Sequence, residues 1–165
     1  MRILPLALSD ENMTAEFKVP VINGKTIASR GTLNTSYKEK GEEKSYTEKV
    51  KVIKLDDWAA LEHFSKLDFI KIDVEGNEIK TLLGAKETIR QFLPTLMVEM
   101  EQRHHQTPIW NEISEVKSWG YEARYLNRNS FTLEALTEEI LSQNTNDEKN
   151  KTQYINNIIF IPKKP

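Results

Sequence analysis

Asp73 and Glu75 follow the apolar stretch FIKI, residues 69 to 72, and Glu99 and Glu101 stand at the end of TLMVEME, residues 95 to 101. Stretches of this kind read as strands bound for an interior, so acids at their ends need a reason. If the two strands are neighbours, their ends lie about 5 Å apart across a sheet. Two or three carboxylates that close bind a hard divalent cation, or share one proton with a raised apparent pKa. Lys71, about 6.6 Å from Asp73 on the same strand face, is a natural charge partner for it. The competing reading is local: Asp73 and Glu75 satisfy amides at the start of a helix from Asn77, with Gly76 easing the bend. Residue types and spacing do not choose between the two.

His104 and His105 follow in EQRHHQTP, and either imidazole could serve as a general base. Neighbours in extended chain face opposite ways, so the pair cannot act together as two ligands, and a structural role competes for each. Asp56 and Asp57 read as a helix start. NGKTIAS, 23 to 29, lacks the first glycine of a phosphate-binding loop, because Val19 stands at that place. Trp58, Trp110 and Trp119 lie on or beside amphipathic segments and read as packing.

The elements that must position these groups alternate. Residues 2 to 8 read as a short strand, with Pro5 suggesting an edge or a bulge. Residues 16 to 49 are polar and interrupted by Gly24, Gly31 and Gly41, which suggests hairpin or loop. VKVIKL, 50 to 55, reads as a half-solvated strand, followed by a helix in DDWAALEHF. Then come a strand at 69 to 74, a helix at 77 to 93 ended by Pro94, a strand at 95 to 100, a helix at 108 to 120 closed by Gly120, and a strand at 121 to 126. This alternation predicts a parallel sheet with crossover helices. FTLEALTEEILS reads as a further helix, QNTNDEKNKTQ as a mobile loop and YINNIIFIP as a covered final strand.

Composition narrows the function. The 165 residues carry 23 Lys and Arg against 25 Asp and Glu, a net charge of -2, so nothing calls for nucleic acid or an acidic membrane surface. There is no cysteine, which excludes disulfides, zinc-thiolate sites and a cysteine nucleophile, and agrees with a reducing compartment. The apolar run ILPLAL is too short for a signal peptide or a membrane span. A single domain over residues 1 to 165, in the cytoplasm, is the expectation.

DFIKIDVEGNEIKTLLGAKETIRQFLPTLMVEME resembles the FkbM family of S-adenosylmethionine-dependent methyltransferases: a strand of the K-I-D-V-E-G kind, a helix containing L-x-G-A, and a strand ending in Glu. ALSD at 7 to 10, GTLN at 31 to 34, VKVIKLDDW, EMEQRHH and NNIIFIP are similar to that family in the same order. The resemblance implies an α/β fold, a partial Rossmann-like class I methyltransferase sheet with crossover helices and a C-terminal antiparallel strand, in which 69 to 74 and 95 to 100 are neighbours. It implies methyl transfer to a hydroxyl of a carbohydrate, glycolipid or natural product, with Asp73 and Glu99 holding Mg2+ or the acceptor, and Glu75 or His104 taking its proton. Leu8, Ser9 and Asp10 would touch the adenine of the S-adenosylmethionine cofactor.

Two family motifs, the glycine-rich turn and the ribose-binding acid that precede ALSD, are absent from these 165 residues. The expectation is therefore a domain truncated at its N-terminus, with an incomplete cofactor site. The alternative is a non-catalytic remnant or interaction subunit, completed by a partner chain that supplies the cofactor half.

Overall fold

A computed structural model describes residues 2–145 and 153–163. The chain forms two compact units, one of Met1–Ser65 with Val74–Gln91, the other of Lys66–Asp73 with Phe92–Pro165. Both are mixed α/β. Among the described residues no helix is long and apolar enough to cross a membrane.

The first unit is organised by a long antiparallel pair, β2 (Met13–Ile22) and β4 (Glu42–Ile53), in register from Met13 opposite Val52 to Val21 opposite Lys44, with a shift before Ile22 opposite Glu42. The stretch expected to be hairpin or loop is accordingly an antiparallel pair with turns and loop between its strands. Only β1 (Ala7–Leu8) remains of the strand expected at 2 to 8, and it runs parallel to the end of β4. With β3 (Lys25–Thr26) the sheet order is β1-β4-β2-β3. Gly31 lets the connecting loop press on β2, since a Cβ there would lie 2.2 Å from Phe17 Cζ. Lys18, almost enclosed, is paired with Glu42 Oε1 at 3.1 Å and with the Tyr37 carbonyl.

The single helix expected over 77 to 93 is two helices, α2 (Glu78–Leu83) and α3 (Lys86–Phe92). The break falls at Gly84, where a Cβ would sit 1.9 Å from the Ser9 carbonyl oxygen. A new helix start leaves amides without intrahelical partners. Asp56 supplies them: its Oδ1 accepts from Thr88 N at 2.8 Å and its Oδ2 from Glu87 N at 3.2 Å, while its own N donates to Gly84 O at 3.0 Å. Asp56 therefore caps a helix distant in sequence, and its own helix, α1 (Leu55–Leu61), begins after Lys54 with no side-chain cap.

The second unit carries a sheet in the order β5-β6-β9-β7-β8. β5 (Phe69–Ile72) and β6 (Thr95–Glu99) are parallel neighbours, as expected of them. β9 (Asn157–Pro162) is antiparallel to β6 on one side and to β7 (Tyr121–Asn127) on the other. The sheet is therefore mixed rather than parallel. Alternation decides which face is buried: Leu96 and Val98 of β6 lie opposite Phe160 and Ile158 of β9, all four enclosed. The amphipathic helix α4 (Ile109–Ser118) contributes Ile113 and Val116 to the core. Tyr121 is enclosed with its hydroxyl donating to Pro94 O at 2.9 Å, and burial pushes that phenol up to about 12.

The helix expected in FTLEALTEEILS is instead a strand, β8 (Thr132–Ala135), followed by the short α5 (Glu138–Ser142). β8 pairs with β7 from Asn127 opposite Thr132 to Arg124 opposite Ala135, and those ladder bonds outweigh the helical spacing of Leu133 and Leu136. Thr137 caps α5 by accepting from Ile140 N at 3.2 Å. The expected mobile loop falls largely on residues 146–152, outside the described residues.

Candidate active site

The candidate residues divide between the units. In the second, Asp73 follows the end of β5 and Glu99 ends β6. Asp73 turns back along its own strand, accepting from Lys71 Nζ at 2.6 Å, so the expected pair is present. The setting differs from the expected interior: β5 is the terminal strand of its sheet, and Lys71 and Asp73 are both close to half exposed.

Glu99 Oε1 accepts from Asn156 Nδ2 at 3.0 Å, and Asn156 Oδ1 accepts from Asn157 Nδ2 at 3.0 Å. Asn157 is the ladder partner of Glu99, so antiparallel register brings Asn156 to the acid and Asn157 to Asn156. Burial, and then the nearby charge of Asp73, raise the Glu99 carboxyl above its ordinary pKa, against the lowering pull of Asn156. Glu101 is shifted the opposite way. Its burial pushes upward, but hydrogen bonds from Arg103 Nη2 at 2.8 Å and the Tyr154 hydroxyl at 2.9 Å, with the charge of Arg103, hold it below the usual range. Burial and then the Glu101 charge raise the Tyr154 phenol well above its ordinary value. The carboxyl pKa values of two acids two residues apart are thus displaced in opposite directions.

His104 ends a single 3₁₀ turn, Gln102–His104, and its N donates to Glu101 O at 3.0 Å. His105 is shielded, with Nδ1 3.3 Å from Glu112 Oε2, and ties the turn to α4.

In the first unit, the segment Leu8, Ser9 and Asp10 is clasped by α2. Leu8 O accepts from Asn77 Nδ2 at 3.0 Å and from Thr81 Oγ1 at 3.1 Å, and Ser9 is enclosed beneath Gly84. Ser9 Oγ donates to Asp10 Oδ1 at 3.0 Å, and Asp10 is only partly buried.

Glu75 of the same unit has φ +49° and Gly76 has φ +97°. A non-glycine residue in the left-handed region costs on the order of 1–2 kcal/mol and persists where its surroundings hold it. Here both ends of the peptide joining Glu75 to Gly76 are held. Thr32 Oγ1 donates to Glu75 O at 2.7 Å, and Gly76 N donates to Glu78 Oε1 at 2.9 Å. Glu78 thus satisfies an amide on the approach to α2. Asn77, the cap residue of α2, spends its side chain on Leu8.

A comparison with protein-family models matches residues 1–127 to the methyltransferase FkbM domain. The chain belongs to the FkbM methyltransferase family. No curated protein and no solved structure matches it. The FkbM match includes Asp73, Glu75, Glu99 and His104, while Tyr154 and Asn156, which bind Glu101 and Glu99, lie beyond it.

Members of methyltransferase families such as FkbM generally draw the methyl group from S-adenosylmethionine. Of the three residues expected against its adenine, Leu8 and Ser9 are committed to holding α2, whereas the partly buried Asp10 carboxylate suits an exocyclic amine. The fit is therefore to one edge of the donor. For Mg2+, Asp73 and Glu99 offer the hard oxygen donors the ion prefers, and an ion would have to displace Lys71 from Asp73. Four residues that matter to the geometry were not among the expected site residues, although Thr32, Glu78 and Asn156 lie inside the FkbM-like stretches: Thr32, Glu78, Tyr154 and Asn156. Only the register of the last strand on β6 brings the latter two to the acids.

Proposed function

We propose that this FkbM-family chain serves S-adenosylmethionine-dependent methylation of a hydroxyl on a carbohydrate, glycolipid or natural product. The reading is carried by one observation: parallel neighbours β5 and β6 lead to Asp73 and Glu99 at their carboxyl ends, where α/β sheets bind ligands. The order β5-β6-β9-β7, with β9 antiparallel, supports a partial class I methyltransferase sheet in the second unit.

In this proposal Asp73 and Glu99 orient the acceptor hydroxyl, or hold Mg2+ that does so, and His104 takes the proton. In the first unit Asp10 meets the adenine of the donor and Glu75 is the other proton acceptor. Bound S-adenosylmethionine would supply an electrophilic methyl group; the chain's own contribution is alignment and proton removal. The net charge of -2 and the lack of cysteine suit a cytoplasmic enzyme of small molecules rather than of nucleic acid. The test is transfer of labelled methyl to a panel of hydroxyl acceptors, with Asp73→Asn expected to abolish it. Unchanged kcat in that variant would remove Asp73 from the catalytic set.

A second reading is favoured by the edge position of β5, where Phe69 is 53% exposed. Such an edge suits a strand from another chain, as in an interaction subunit whose partner supplies the cofactor half. Co-purification with a protein bearing a glycine-rich strand-turn-helix would support it; methyl transfer by the isolated chain would exclude it.

A further inference from the structure

We propose that Thr32 is the positioning residue for Glu75, fixing the direction of that carboxylate through the backbone. This deepens the reading above, in which Glu75 is a proton acceptor, and it rests on that reading. Thr32 is itself immobilised. Its N donates to Lys18 O and its O accepts from Lys18 N, both at 2.9 Å, which ties it to β2, and only 3% of its surface is exposed.

The hydroxyl has one orientation that satisfies its neighbours. Asn34 N, which can only donate, points at Thr32 Oγ1 from 3.0 Å, and Glu75 O, which can only accept, lies 2.7 Å away. The hydroxyl proton must therefore go to Glu75. Because Gly76 N is held by Glu78 Oε1 at 2.9 Å, the carbonyl and the N–H of one peptide plane are anchored from opposite sides. That plane fixes ψ of Glu75 and φ of Gly76, and a left-handed φ at Glu75 sends its side chain where an ordinary turn would not. Releasing the carbonyl lets the peptide rotate toward relaxed geometry.

The test uses the full chain with Thr32→Val, which keeps the shape and removes the hydroxyl, and Thr32→Ser, which keeps the hydroxyl. Amide exchange of Gly76 and the backbone resonances of Glu75 are read by NMR, alongside kcat and KM for methyl transfer. Thr32→Val is expected to speed Gly76 exchange about tenfold or more, shift the Glu75 resonances and lower kcat with little change in KM, and Thr32→Ser to restore all three. Glu75 resonances and Gly76 exchange that match wild type in Thr32→Val would overturn the proposal. Shifted resonances with unchanged kcat would uphold the clamp and overturn Glu75 as proton acceptor, which separates the two claims. If Thr32→Val does not fold, the unaltered chain decides: a slowly exchanging Thr32 hydroxyl proton with a through-space contact to the Glu75–Gly76 peptide supports the clamp, and a freely exchanging one refutes it.

Discussion

Asn156 donates its side-chain amide to Glu99 at 3.0 Å from the approach to the last strand, so an acid at the end of β6 is steadied by a residue 57 positions later in the chain. The amide favours the charged carboxylate, yet burial and the charge of Asp73 prevail and the Glu99 pKa is raised.

A raised carboxyl pKa makes the folded state hold its proton more tightly than the unfolded state. Folding is then favoured fully below the unfolded pKa and loses stability as pH rises through the folded pKa. Glu99→Gln removes that loss and keeps an acceptor for Asn156. Thermal unfolding should show the variant more stable than wild type at neutral pH, with the difference vanishing below the ordinary carboxylate range.

Asp56→Ala strips the cap from α3, leaving the amides of Glu87 and Thr88 without their acceptor. Loss of such a cap costs about 0.5–2 kcal/mol. Urea denaturation should show a lower midpoint with an unchanged slope, and Asp56→Asn should recover part of the loss. Asp57→Ala serves as the control, because Asp57 accepts from Asn12 and is paired with Lys54 rather than with α3.

Gly84→Ala places a methyl group 1.9 Å from the Ser9 carbonyl oxygen, a backbone atom that cannot swing aside. The cost should exceed the roughly 1–3 kcal/mol of ordinary overpacking. Either the Ser9–Asp10 backbone or α2 must then shift, and movement of the former should appear in hydrogen exchange as loosening of residues 7 to 10. Unaltered protection there would show that α2 itself can shift.

Tyr121→Phe leaves Pro94 O without its hydroxyl donor inside the second unit and should cost about 1–3 kcal/mol. The phenol also sets an alkaline limit. In the fold it keeps its proton to about 12, whereas an unfolded tyrosine ionises near 10, so its contribution falls as pH climbs through that window. Thermal melts between those values should steepen with pH for wild type and less so for the phenylalanine variant.

Much of this architecture was legible in the sequence, where alternation and burial coincide. FIKI, TLMVE and NIIFIP are strands, and Ile109, Ile113 and Val116 mark the buried side of α4. Local pattern failed where a distant partner decided the outcome. The helix at 77 to 93 breaks because Gly84 meets Ser9 and Asp56 caps the second half, contacts invisible to periodicity. Leu133 and Leu136 kept helical spacing, but ladder pairing with β7 claimed Leu133 for a strand. At the acids, chemistry was readable and its tuning was not. The Lys71 contact follows from period two along a strand, whereas Asn156, Tyr154 and Thr32 reach their partners through register and loop closure.

The chain passes between its compact units at 65–66, 73–74 and 91–92, so neither unit is a continuous stretch of sequence. During synthesis the segment at 7 to 10 must wait for its binding partners, since Leu8 O is held by residues 69 and 73 positions further on. At roughly 5–20 residues per second on the ribosome that is a delay of several seconds, during which β1 and its neighbours are present without the helix that secures them. No single crossover in the gene could exchange one unit for a relative's, because each unit is assembled from separate stretches of the chain.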